Sequence, residues 1–145
     1  MAGKPTLVPE LLCRDLRVSL DFYTRIAGFR ILYDRPESGF AYLEREGAEL
    51  MLGEVPAPGE DTTRAWISGS LEAPFGRGIN FQIEVSEVEA LYAAVNAANA
   101  SIFLPIETRW YRKTDYEVGN RQFIVSDPDG YLLRFYQDLG QRHAA

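Results

Sequence analysis

A chain of 145 residues that is 46% hydrophobic and 25% charged carries enough apolar material for a sizeable core, which excludes a disordered chain and makes one domain, residues 1–145, the expectation. Fifteen Lys and Arg against 21 Asp and Glu leave a net charge of −6, which repels phosphate and argues against general nucleic-acid binding. No apolar run approaches the roughly 18 residues of a membrane span, the start MAGKPTLVPE lacks a hydrophobic signal core, and Cys13 has no second cysteine to pair with. A cytoplasmic protein without membrane contact is the resulting expectation.

In chain order, LVPELLC reads as an apolar strand. In RDLRVSLDFYTRIAG, Asp15 is placed to cap a helix, Leu16, Leu20, Tyr23 and Ala27 recur at helical spacing, and Gly28 supplies a stop. FRILYD, GFAYLERE and AELMLGE follow as three strands, with Glu46-Gly47 at the last turn. The Gly- and Pro-rich segment GEVPAPGEDTTRAWISGSLEAPFGRG has neither hydrophobic period and reads as a long loop. GINFQIEV then alternates strictly, and SEVEALYAAVNAAN reads as a helix with Ser86 and Glu89 as a capping box and Val88, Leu91, Val95 and Ala98 as its buried stripe. SIFLP continuing to about WYR, then RQFIVSD and YLLRFYQ, complete the strands, with Asp129-Gly130 at the last turn and GQRHAA as a frayed tail.

The order strand, helix, three strands thus occurs twice. Asp15 and Glu87 stand 72 residues apart, as do Glu10 and Gln82, whereas Gly47 and Gly130 stand 83 apart. The second copy therefore carries about 11 extra residues, mostly within 105–119. The expected fold is α+β: two βαβββ modules, at about 6–53 and 78–138, forming an open cupped mixed sheet with helices on the convex side. A linker at 54–77 joins them and a tail runs over 139–145.

Strand parity then proposes a site. Ile79, Phe81, Ile83 and Val85 point one way, beneath the helix, and Asn80, Gln82 and Glu84 the other. That polar row belongs on a wetted cleft, because a dry interior would leave it unpaired. The matching rows are Val8, Glu10 and Leu12; Glu49, Met51 and Gly53; and Leu132, Arg134 and Tyr136. A semi-polar concave face is a place to bind a small molecule. RWYRK adds Trp110 and Arg112 as an aromatic-basic pair for a planar or anionic ligand, the alternative being an edge strand guarded by its basic side chains. Trp66, in the polar linker, suits either stacking on a ligand or packing on a partner subunit. Arg134 either meets a ligand or braces the cleft against Glu10 or Glu84. Asp127 and Asp129 are turn residues of DPDG, and the sole histidine, His143, stands near the end of the chain, so no Ser/His/Asp or Cys/His set forms.

RDLRVSLDFYTRIAGF and FIVSDPDGYLLRF, in this order around an internal repeat, resemble the vicinal oxygen chelate (glyoxalase/bleomycin resistance/dioxygenase) superfamily, over about Leu7 to Gln137. The resemblance implies paired βαβββ modules. It places the metal-ligand positions of the family's metal-dependent members at Val8, Met51, Asn80 and Arg134, a set unsuited to a divalent ion. No metal and no cofactor is therefore expected, nor catalysis of the family's usual kind. VPELLCRD, GFAYLERE and RAWISG resemble the metal-free bleomycin resistance proteins, which implies Phe40 and Trp66 as groove aromatics. It also implies a homodimer sequestering a bleomycin-like, planar or glycopeptide-like compound at its subunit interface. The alternative is a glyoxalase- or dioxygenase-like enzyme with relocated residues, Glu10 or Glu84 serving as base.

Overall fold

The computed structural model describes residues 3–61, 63 and 65–144. Its strands are β1 (Glu10–Cys13), β2 (Arg30–Arg35), β3 (Phe40–Arg45), β4 (Ala48–Glu54), β5 (Asn80–Glu84), β6 (Ser101–Lys113), β7 (Tyr116–Ser126) and β8 (Leu132–His143). The α-helices are α1 (Leu16–Leu20) and α2 (Val88–Ala97). The doubled βαβββ order read from the sequence is present, as two open, mixed four-stranded sheets with orders β1-β4-β3-β2 and β5-β8-β7-β6. In each, the first strand runs parallel to the last and the other pairs are antiparallel. The chain forms two compact units, one of Met1–Phe75 with Pro128–Gly130, the other of Gly76–Asp127 with Tyr131–Ala145. No helix among the described residues is long and apolar enough to cross a membrane.

In the first unit, Asp15 caps α1 as its position suggests, accepting from the N–H groups of Arg17 (3.0 Å) and Val18 (3.4 Å). After Leu20 the helix widens into a π-helical segment, Asp21–Ile26, which brings the adjacent residues Phe22 and Tyr23 both into the core. Tyr23 is fully buried, edge-on to Phe22 and Phe29. Gly28 ends the helix in the left-handed region, φ 81°. Leu11, Cys13, Ala41, Leu43, Leu50 and Leu52 form the sheet's share of the core. The tip of DPDG belongs to this unit. Asp129, 3% exposed, accepts from Arg14 Nε (2.8 Å), Arg14 N–H (3.1 Å) and the Ser19 hydroxyl (3.2 Å).

In the second unit, α2 packs on β7 and β8, burying Val88, Leu91 and Val95 with Phe123, Val125, Leu133 and Phe135. Its start differs from the expected capping box. Glu87 is the N-cap residue without a side-chain bond, Val88 N–H donates to Gln137 Oε1 (3.1 Å), and Glu89 pairs with Arg121 (2.8 Å). Glu89 thus binds an arginine of β7. The extra residues of the second copy form the long β6–β7 hairpin, which also corrects the reading of the tail. Residues 139–143 are paired strand, with Gln141, Arg142 and His143 opposite Val118, Glu117 and Tyr116. Polar side chains made the segment look like a loop, yet the lengthened hairpin gives its backbone a partner.

Candidate binding site

The strand alternation of the second unit sets its two faces. Phe123, Val125, Leu133 and Phe135 are buried on the side of α2. The residues between them face the other way and form cross-strand rows: Gln82, Arg134, Ile124 and Leu104; then Glu84, Tyr136, Gln122 and Glu107. On this face opens a pocket of about 530 Å³ lined by Gln82, Tyr111, Lys113, Val118, Asn120, Arg134, Tyr136 and Asp138. Its size falls within the range of small-molecule sites.

Hydrogen bonds hold its walls. Gln122, 2% exposed, donates its amide N–H groups to Glu107 Oε2 (2.9 Å) and the Tyr111 hydroxyl (2.7 Å), while its Oε1 has no partner. Tyr136 donates to Glu84 Oε1 (3.4 Å). Burial is the largest influence on the Tyr136 phenol and lifts its pKa above the ordinary value, a hydrogen bond from Gln82 opposing and the Glu84 charge assisting. Asp138 accepts from the Gly140 N–H (2.8 Å), at a bulge where β8 gains a residue against β7. Arg134 forms no ion pair among the described residues, and its buried Nε–H has no acceptor. Within its own unit Arg134 thus forms no bracing ion pair with Glu84 among the described residues.

Of the candidates read from the sequence, Gln82 and Arg134 line the pocket, and Asn80 and Glu84 flank Gln82 on β5. Trp110 and Arg112 lie on the opposite face. Trp110 spans Gly119 beneath the Arg142 guanidinium, 4.1 Å away, and Arg112 bonds the hairpin carbonyl of Thr114 (2.9 Å). Their neighbours Tyr111 and Lys113 reach the pocket instead. Sequence reasoning passed over these two, and Asn120, Val118 and Asp138 as well. The available signal was the buried row of Phe123 and Val125, whose phase puts Asn120 and Gln122 on the far side and, through the hairpin pairing, Tyr111 with them.

Glu10, Phe40 and Trp66 belong to the first unit. Glu10 pairs with Met51 and its carboxylate covers Gly53. Phe40, opposite Gly53, is buried under the Arg35 guanidinium at 4.1 Å, beside a Tyr33–Tyr42 stack with centroids 5.0 Å apart. Tyr42 donates to Glu49 Oε1 (2.7 Å), and mainly this bond pushes its phenol up to about 12. Trp66 is 78% exposed, with φ 51°.

Val8, Met51, Asn80 and Arg134, to which the resemblance assigns the metal-ligand positions, include no imidazole, carboxylate or thiolate. These residues do not fit a divalent ion.

The family profile of the Glyoxalase/Bleomycin resistance protein/Dioxygenase superfamily matches residues 7–135. A bleomycin resistance protein of Geobacillus stearothermophilus is 27% identical over 143 residues, covering 91% of this chain and 96% of the relative. A Staphylococcus aureus bleomycin resistance protein matches to the same extent. Among solved structures, TioX from Micromonospora sp. ML1 superposes with a TM-score of 0.69 at 24% identity, covering 93% of this chain and all (100%) of that one. An Agrobacterium tumefaciens protein of unknown function gives a TM-score of 0.69 at 25% identity, over 96% and 98% of the two chains. With nearly its whole length matched, the chain belongs to the glyoxalase/bleomycin resistance protein/dioxygenase superfamily.

Proposed function

We propose that this protein binds and sequesters a small molecule without metal and without chemistry, and that it works as a cytoplasmic homodimer. The observation that carries the reading is the pocket of the second unit. Tyr111, Val118 and Tyr136 offer aromatic and apolar surface there, and Gln82, Asn120 and Arg134 offer polar groups that can orient a ligand. The near full-length likeness to bleomycin resistance proteins supports a glycopeptide-like or planar compound as the ligand class. The dimer is supported by β2, an outer strand whose Ile31, Leu32 and Tyr33 are 41%, 41% and 50% exposed.

Calorimetry with metal-free bleomycin tests the ligand class. Saturable binding with a Kd of about micromolar or tighter is expected, and no heat at roughly 100 µM drug would overturn it. Stoichiometric zinc, manganese, nickel or iron in the purified protein would overturn the metal-free reading. Light scattering on the eluted peak gives the subunit count.

A further inference from the structure

We propose that the pocket of the second unit selects ligands that carry an anionic group, of carboxylate type, on a planar ring, with Arg134 as the partner of the anion. This rests on the small-molecule binding reading and adds the charge of the ligand to it.

Three observations lead there. First, Arg134 lines the pocket, yet its buried Nε–H has no acceptor and its charge no ion-pair partner among the described residues. Its cross-strand neighbours, Gln82 and Ile124, are uncharged. Second, the carboxylates on this face accept from uncharged donors and none pairs with Arg134 among the described residues. Glu84 accepts from Tyr136, Glu107 from Gln122, and Asp138 from the Gly140 N–H. Third, Lys113 lines the same pocket and also forms no ion pair among the described residues. Two cations thus face one carboxylate inside the pocket, although the whole chain carries −6.

A buried cationic donor without an acceptor is costly, and a ligand oxygen bearing charge removes that cost while forming a short, charge-assisted bond. Guanidinium geometry favours a planar, two-oxygen partner over a single halide-like charge. Tyr111 and Tyr136 supply ring faces, so charge and stacking surface are recognised together. A cationic ligand tail would meet the wrong sign at this end of the site.

The test uses two probes of one shape, quinoline-2-carboxylate and quinoline-2-carboxamide, titrated into the full-length, isotope-labelled protein with the Arg134 Nε–H resonance followed by NMR. The carboxylate is expected to bind at least about tenfold more tightly and to shift that resonance. Arg134→Met is expected to bring the two probes within about twofold of each other, and Arg134→Lys to keep part of the preference. Should Arg134→Met fail to fold, Lys113→Met at the pocket rim and the wild-type Nε–H shift separate the same outcomes. Equal binding of the two probes, or a carboxylate preference that survives Arg134→Met, would overturn the proposal. If neither probe binds while metal-free bleomycin does, the anion assignment falls and sequestration stands; if none of the three binds, both fall.

Discussion

Gly119 stands directly across the β6–β7 ladder from Trp110, and the indole fills the space a side chain at 119 would need, its Cη2 lying 2.7 Å from a would-be Cβ. The Arg142 guanidinium closes over the other side of the ring at 4.1 Å. A strand glycine replaced by alanine ordinarily gains stability from the stiffer backbone. Here Gly119→Ala forces the ring away from its seat, and a loss of about 1–2 kcal/mol is expected, read by urea unfolding with a shift in tryptophan emission.

Asp129 holds the tip of DPDG by accepting from Arg14 and from the buried Ser19 hydroxyl. Asp129→Ala strips these donors of their acceptor, and about 2–4 kcal/mol of stability should be lost in urea unfolding. Asp129→Asn keeps an acceptor oxygen and should fall between wild type and alanine.

The eight tyrosines should not ionise together. The Glu49 carboxylate that accepts from Tyr42 raises that phenol from the ordinary 10.0 to about 12. Because the folded value is the higher one, the stability from this pair is full below the unfolded value of 10.0 and is lost as pH climbs towards about 12. Ultraviolet titration should show a late phenolate step that Tyr42→Phe removes and Glu49→Gln moves back towards the others. A single step near 10.0 for all eight would contradict the pairing.

Trp66, at 78% exposure, has little packing to lose. Trp66→Ala should leave unfolding stability within about 0.5 kcal/mol of wild type. If Trp66 stacks on the ligand as the resemblance implies, the same variant should weaken bleomycin binding in calorimetry by about tenfold.

The sequence disclosed what repeated periodically and hid what depended on a distant partner. Strict alternation in GINFQIEV put Gln82 on the pocket face, and Asp15 and Gly28 marked the ends of the first helical segment. The π-helical widening that buries Phe22 beside Tyr23 breaks the 3.6-residue period and leaves no such mark. Glu89 looked like half of a capping box because Arg121, which takes it, lies 32 positions away. Trp110 and Arg112 have side chains suited to a ligand, but their chemistry does not fix their face. Ile102, Leu104 and Ile106 are apolar on one parity, yet Ile102 pairs with Val125 on the helix side and Leu104 with Ile124 on the pocket side. No face can be read from such a strand without its pairing.

That strand holds two irregularities, between Ile102 and Leu104 and between Leu104 and Glu107, each inserting one residue against β7. Each turns the following side chains over, and together they cancel, so Tyr111 and Lys113 keep the phase of Ser101. Beyond Glu107 each side chain takes the face of its β7 partner, Tyr111 with Val118 and Lys113 with Tyr116. Removing one of the inserted residues would erase a bulge and leave Tyr111 opposite Val118 and Trp110 opposite Gly119, so the pocket lining would keep its side chains. The slack of this strand is thus confined to 103–106, and its pairing with β7 decides which side chains of the outer half face the pocket.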